Sequence, residues 1–272
     1  MSAADALSKQ LLLETNSVFV DRLFRLEVLQ AARSDQFNPT LAAFQRECVT
    51  NPAALYQMCR WHYDSLGPRP TLSWLRTLPM ETQTNQPAAL FIANSLEVTK
   101  DWEDLFKTLD QQNWYAVDYL RRALKARALR GKNLAGAAKG EWELALKEAG
   151  SNPDPKGSLV RLMGLAAQWG WLSEAEEVLG TIVKRFPGEK WAFQALSQTL
   201  YEQGRTRPLM MLYTQELQRA PKDLSIKNNL AVTALLLEAN EMRPHDLALE
   251  VYQKAPTNAA YASTYAFSLH VQ

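Results

Sequence analysis

The amino-acid sequence predicts an all-α protein in which helical hairpins stack into an α-α superhelix, a solenoid that is irregular in its N-terminal half. Prolines in the C-terminal half recur at intervals of 34, 34 and 35 residues: Pro153, Pro187, Pro221 and Pro256. Leucines and glycines keep the same step of 34 residues: Leu162, Leu196 and Leu230, and Gly170 and Gly204. No segment alternates apolar and polar residues with the period of two that is typical of a strand. A fixed period of this length indicates helical hairpins that stack on their neighbours.

Residues 157–187 contain the signals of one such hairpin. A run of apolar residues at helical spacing ends at Gly170, which can provide the left-handed residue that closes a helix. Ser173 and Glu176 have the spacing of a capping box for a second helix, and Pro187 ends that helix. Since one hairpin cannot bury both of its apolar faces, neighbouring hairpins are expected to stack.

The first half of the sequence predicts shorter and less regular helices. Residues 1–36 have a helical pattern with a break at Asn16 or Ser17. Further helices are predicted over residues 39–50, 52–65, 71–78, 87–98, 101–112, 115–130 and 134–149, with a polar loop over residues 81–86. The first two of these follow Asn-Pro pairs, a common helix start. Gly136 and Gly140 fall inside the last helix, where we expect them to allow close packing against a neighbouring helix.

Charge and composition favour neither a nucleic acid nor a membrane as partner. The 272 residues carry 30 basic and 29 acidic side chains, and a net charge of +1 provides no bulk field for either. No apolar run approaches membrane-spanning length, and the N-terminus lacks the pattern of a signal peptide. Cys48 and Cys59 are predicted to be buried thiols, because two cysteines cannot form a disulfide framework. We therefore expect a cytoplasmic location and no membrane contact by this segment.

No sequence pattern predicts catalysis. Three histidines, His62, His245 and His270, have no metal-ligand spacing with one another, and the two cysteines are eleven residues apart, so no metal site is expected. The sequence contains no phosphate-binding loop, no nucleophile elbow and no zinc-protease helix. We therefore expect a protein that is not an enzyme and that needs no cofactor.

Residues 156–272 resemble the tetratricopeptide repeat (TPR) family. The first unit has suitable residues at the family's characteristic positions: Leu159, Leu162, Ala166, Gly170, Ala175, Leu179 and Pro187. The second unit departs at Leu209, where a small residue is usual, and this implies a wider contact between its helices. The third implies a longer turn around residues 240–245, and a fourth stops after its first helix. We expect irregular helical hairpins over residues 1–114 and TPR-like repeats over residues 115–272, as one continuous solenoid.

In this family, the first helix of each hairpin lines a concave surface that binds partners. The resemblance implies a set of partner-binding side chains in the second and third units: Trp191, Gln194, Gln198, Tyr201, Glu202, Asn228 and Asn229. An alternative for Asn228 and Asn229 is that they only bond neighbouring backbone groups. The Lys and Asn positions with which some family members grip a C-terminal carboxylate are not matched here, so that ligand is not expected.

The resemblance implies a scaffold that binds a peptide or another protein on its concave surface. Two other roles remain open. The chain could be the regulatory or recruiting region of a larger enzyme or of a membrane-anchored protein. It could also be a structural piece that self-associates through its open C-terminal repeat.

Overall fold

All regular secondary structure in the computed structural model is helical. The structure describes residues 2–110 and 112–272, which form seventeen α-helices, two 3₁₀ turns and no strand. The predicted all-α class is confirmed. Residues 1 and 111, which fall within the predicted helices 1–36 and 101–112, lie outside the described residues.

The chain divides into two compact units, Met1–Ser158 and Leu159–Gln272, here called the N-terminal and C-terminal units. The N-terminal unit contains the helices α1 Ser2–Leu11, α2 Phe19–Ala31, α3 Phe37–Cys48, α4 Pro52–Leu66, α5 Pro68–Leu75, α6 Met80–Thr84, α7 Ala88–Thr99, α8 Trp102–Asp110, α9 Asp118–Gly131 and α10 Ala135–Ser151. The dividing point falls inside α11, Pro155–Gln168.

Helix α9 packs on earlier helices as well as on α10. Two ion pairs fasten α9 and its end to them. Arg127 Nε lies 3.0 Å from a carboxylate oxygen of Glu97 on α7, and Lys132 Nζ lies 2.6 Å from one of Glu103 on α8. The hairpin α9–α10 therefore belongs with the N-terminal unit.

The two helix starts predicted at Asn-Pro pairs have different outcomes. The predicted start of α4 is confirmed, since Asn51 Oδ1 accepts hydrogen bonds from the backbone N–H groups of Ala53 and Ala54 at 3.0 and 3.2 Å. The predicted start of α3 at Asn38-Pro39 is wrong. That helix begins at Phe37, and Pro39 lies in its first turn, where a missing N–H costs no helical hydrogen bond.

The predicted loop over residues 81–86 is also wrong, because α6 occupies Met80–Thr84. Gln83 is buried, and its amide nitrogen donates to the carbonyl oxygens of Leu78 and Arg76 at 2.7 and 3.2 Å. The Gln83 side chain thus pairs two carbonyl groups of the preceding turn. The segment has no apolar periodicity, so the sequence pattern did not indicate this helix.

The C-terminal unit is a series of hairpins. After α11 come α12 Leu172–Arg185, α13 Lys190–Glu202, α14 Thr206–Arg219, α15 Leu224–Leu236, α16 Pro244–Lys254 and α17 Ala259–His270. From α12 onward each helix packs on the next, and α15 also packs on α17. Contacts between sequence neighbours are the packing pattern of a solenoid.

The hairpin turns agree with the sequence expectations. Gly170 and Gly204 have φ angles of +70° and +66°, the left-handed conformation that glycine adopts without steric cost. The third hairpin has the longer turn, with a 3₁₀ turn at Asn240–Met242 and a left-handed Arg243 before α16.

The predicted capping box at the start of α12 is not formed. The residue that caps α12 is Trp171, and its side chain makes no capping hydrogen bond. Glu176 instead accepts hydrogen bonds from Arg205 and Gln203 in the turn between α13 and α14. The carboxylate that was predicted to cap its own helix therefore links two successive hairpins.

Gly136 and Gly140 do not mediate close packing, contrary to the sequence expectation. Both are exposed, and a Cβ atom at either position would have nothing within 4 Å. We expect Gly136→Ala and Gly140→Ala each to raise the free energy of unfolding by up to about 1 kcal/mol, because alanine restricts the unfolded chain and favours the helix.

Urea unfolding monitored by circular dichroism measures this effect, and Gly131→Ala is the matched control. A Cβ atom at Gly131 would overlap the indole ring of Trp102, so this third variant is expected to be destabilised. Equal effects of the three substitutions would contradict the open surroundings of Gly136 and Gly140.

A candidate protein-binding groove between the second and third hairpins

A groove of about 430 Å³ opens between α13, α14 and α15, within the C-terminal unit. Ten residues line it: Leu200, Tyr201, Gly204, Thr206, Leu209, Tyr213, Asn229, Val232, Thr233 and Leu236. None of these residues is charged. The first helices of two successive hairpins, α13 and α15, provide six of the ten lining residues.

The mouth of this groove carries exposed apolar surface. Tyr201 is 71% exposed and Leu236 is 59% exposed, whereas Leu200 and Leu209 are buried. The left-handed Gly204 lies in the turn that follows α13, and it is one of the lining residues. Apolar side chains of this size that remain exposed around a concavity are typical of an interaction surface.

A polar pair, Tyr213 and Asn229, lies among the apolar walls. Burial raises the pKa of the Tyr213 phenol, and a side-chain hydrogen bond with Asn229 partly opposes this shift. The phenol therefore stays neutral. The ring of Tyr213 packs at 6.1 Å from that of Phe193, measured between centroids, which holds the hydroxyl in place beside the amide. The pair provides a fixed amide group in an otherwise apolar lining.

Two of the predicted site residues, Tyr201 and Asn229, come together in this groove. Gln194, Gln198 and Glu202 lie exposed on α13 outside the lining, and Gln198 Nε2 donates to Glu202 Oε1 at 2.6 Å.

Trp191 is 40% exposed, and its Nε1 donates to Glu189 Oε2 at 2.8 Å. It lies ten residues before Tyr201, about 15 Å along α13 by the helical rise. The predicted residues of α13 thus form a row that leads from Trp191 to the groove.

Asn228 does not lie on an exposed surface as the sequence predicted, because it is only 6% exposed. Helix α15 packs on α14, α16 and α17, and so it buries more of its circumference than the first helix of an isolated hairpin would. Asn228 lies on this buried face and does not belong to the exposed lining. Its Oδ1 has no hydrogen-bond partner among the described residues.

The sequence-based reasoning missed the contribution of α14 to the groove. Leu209 and Tyr213 occupy positions that normally form the core between the two helices of a hairpin, so they were not expected at a surface. One signal was present: the bulky Leu209 replaces the usual small residue, and the groove opens where this residue lies.

Two features are absent from the described part of the chain. No three His, Cys, Asp or Glu side chains there are grouped so that they could hold a metal ion. No helix there combines the length and the apolar character needed to cross a bilayer.

Comparisons with known proteins identify no family for this chain. No family model matches the chain, and no curated protein matches it. Forty-two chains of solved structures match. One of these is in the crystal structure of the APC/C hetero-tetramer Cut9-Hcn1, with 11% sequence identity and a TM-score of 0.36. The match covers 97% of this chain and 52% of that chain, so this chain spans about half of its length.

The architecture follows from the chain's own geometry. The helix lengths, the glycine-closed turns and the 34-residue period occur together in the C-terminal unit. By these features the C-terminal unit is a series of stacked helical hairpins with a repeat of about 34 residues.

Proposed function

We propose that this chain is a non-catalytic protein-interaction scaffold, and that the groove between α13, α14 and α15 binds an extended segment of a partner protein through an uncharged, apolar side chain. The observation that carries this proposal is an open groove of about 430 Å³ that contains no charged residue and is bordered by the exposed Tyr201 and Leu236. Burying a charged side chain in this lining would leave it unpaired, which is costly. The groove therefore selects an apolar anchor.

The groove and the polar row on α13 have different roles in this proposal. Tyr201 provides a large contact area with little loss of side-chain entropy, as tyrosines do at binding hot spots. The Asn229 amide hydrogen-bonds with the backbone of the bound segment. The exposed Gln194, Gln198 and Glu202 contact the rest of that segment as it runs along α13 towards Trp191.

A pull-down from the native source, with this chain as bait and mass spectrometry as the readout, tests the proposal. The matched bait is the double variant Tyr201→Ala with Asn229→Ala. We expect a partner that the wild-type chain retains and the double variant loses. If both baits retain the same proteins, or if neither retains any protein above background, the groove is not the binding site.

Once a partner segment is in hand, Tyr201→Ala alone is expected to weaken its binding by about 30-fold, the effect of truncating a hot-spot aromatic residue. Isothermal titration calorimetry measures this change. Met211→Ala is the control, because Met211 is also an exposed apolar residue of the same hairpin but lies outside the groove lining. Equal losses from the two substitutions would contradict the assignment of the groove.

Self-association is a second candidate role, favoured by the exposed apolar residues at the end of α17. Leu269 is exposed, and so is Val271 directly after the helix. Light scattering tests this role: an assembly that Leu269→Lys dissociates would support it, and a monomer at all concentrations would exclude it. The regulatory or recruiting role within a larger protein stays a prediction.

A further inference from the structure

A second groove, of about 670 Å³, lies in the N-terminal unit between α2 and α4. All of its lining residues come from these two helices: Leu23 and Glu27 from α2, and Ala53, Tyr56, Gln57, Arg60, Trp61, Asp64 and Ser65 from α4. The function proposed above for the C-terminal unit does not use this groove.

Two polar atoms of the lining are buried without a partner. Trp61 is only 6% exposed, and its Nε1 has no hydrogen-bond acceptor among the described residues. Gln57 lies one turn earlier on the same helix, and its Oε1 is buried without a donor. Buried polar groups are nearly always paired in folded proteins, so an unpaired donor and an unpaired acceptor in one groove point to a missing partner.

The missing partner must offer one acceptor and one donor a few ångströms apart. Side chains four residues apart on a helix have Cβ atoms about 5–6 Å apart. In an extended chain, the N–H and C=O groups of one residue point to the same side, as they do in a hydrogen-bonded pair of antiparallel strands. One residue of an extended peptide therefore fits: its C=O would accept from Trp61 Nε1, and its N–H would donate to Gln57 Oε1.

The charges along this groove favour a basic segment. Glu27 on α2 is exposed, and it has no ion-pair partner within the part of the chain that the structure describes. On α4, the carboxylate of Asp64 lies 3.7 Å from Arg60 Nε, and Arg60 is the one cationic residue of the lining. The two carboxylates outnumber the single guanidinium, so the groove carries a net negative charge that a lysine or arginine side chain would complement.

We propose that the groove between α2 and α4 binds an extended, basic segment of a partner protein, whose backbone pairs with Trp61 and Gln57 and whose cationic side chain lies against Glu27 and Asp64. Tyr56 provides the apolar contact beside them. Its ring is held by an edge contact with Phe91, with centroids 6.0 Å apart.

Nuclear magnetic resonance of the indole N–H groups in the full chain tests this proposal. The probe is an octapeptide of alternating alanine and arginine, and its control has glutamate in place of arginine. The Trp61→Phe variant identifies the Trp61 signal by its disappearance. We expect the arginine peptide to shift this signal saturably and the glutamate peptide to leave it unchanged. The absence of a shift, or equal shifts with both peptides, would overturn the proposal.

Variants of the groove separate binding from structure. Gln57→Met and Glu27→Gln are each expected to weaken binding of the arginine peptide by about fivefold, the effect of losing one hydrogen bond or ion pair. Gln30→Met, an exposed position of α2 outside the groove, should bind as the wild-type chain does. Gln57→Met should also leave the thermal midpoint of unfolding unchanged or raise it, because an unpaired amide is removed. A lower midpoint with unchanged binding would show that Gln57 is satisfied within the protein, and would overturn the proposal.

Discussion

Replacing Asp118 with alanine is expected to lower the free energy of unfolding of the N-terminal unit by about 3–5 kcal/mol, the cost of leaving a buried charge without its partner. Asp118 holds Arg121, which is 8% exposed, through two hydrogen bonds: Arg121 Nε donates to Oδ1 at 2.5 Å and Nη2 donates to Oδ2 at 2.8 Å. The same guanidinium donates to the carbonyl oxygen of Leu109 at 3.0 Å. The carboxylate also accepts from the backbone N–H of Trp114 at 2.9 Å.

Asp118 therefore joins the end of α8, the segment before α9 and α9 itself. Urea unfolding followed by tryptophan fluorescence measures the loss. Lys139→Ala removes one partner of an exposed ion pair with Glu143, 3.9 Å apart, and it should change the stability by no more than about 0.5 kcal/mol. If Asp118→Ala were as mild as Lys139→Ala, the buried cluster would not stabilise the N-terminal unit.

Acid should destabilise the cluster around Asp118 only at low pH. Burial opposes ionisation of Asp118, but the hydrogen bonds from Arg121 and the Trp114 N–H outweigh it, so its pKa is lowered from 3.8. The unfolded chain binds the proton first as the pH falls. The stability that Asp118 provides is therefore complete above its unfolded pKa and is lost as the pH falls through the lower, folded pKa.

A second large effect is expected at a higher pH, from His62. Burial lowers the pKa of His62 from 6.5 to about 4. Its Nδ1 lies 2.9 Å from Thr71 Oγ1, which itself donates to the carbonyl oxygen of Gly67, so Nδ1–H is the donor in that pair. The ring is stacked on Trp74, with centroids 5.0 Å apart. Protonation would place a positive charge in this buried stack.

Between pH 6.5 and about 4, the unfolded chain carries the His62 proton and the folded chain does not. The contribution of His62 to stability is therefore present above pH 6.5 and falls as the pH decreases to about 4, by about 3 kcal/mol in total. Unfolding titrations across this range should show the slope in the wild-type chain. His62→Gln, which keeps a donor for Thr71, should be less stable at neutral pH and should lose this part of the slope. A slope that persists in the variant would assign the titration to another group.

The sequence was sufficient for features that depend on residue spacing. The left-handed turns at Gly170 and Gly204 and the cap at Asn51 could be predicted, because each follows from the conformational preference of one residue at a fixed position. Helix α6 could not be predicted, since it depends on the buried amide of Gln83, which reaches back to carbonyl groups of the preceding turn. The capping role given to Glu176 was wrong because a guanidinium of the next hairpin competes for its carboxylate.

The groove between α13, α14 and α15 also combines residues that could be predicted from the sequence with residues that could not. Tyr201 and Asn229 follow from repeat positions that point away from the core. Tyr213 could not be predicted as lining, because its position belongs to the core unless the hairpin opens. The burial of Asn228 depends on how many helices pack around α15, and the repeat pattern of one unit does not contain that information.

The measurement that tests the groove most directly is site-specific photo-crosslinking. A photoreactive amino acid replaces Leu236, which lines the groove and is 59% exposed, and the control carries it at Met211, which is 55% exposed and lies outside the lining. Binding in the groove predicts that the captured partner crosslinks from position 236 and not from position 211. Equal crosslinking from both positions, or crosslinking from position 211 alone, would contradict the proposed function.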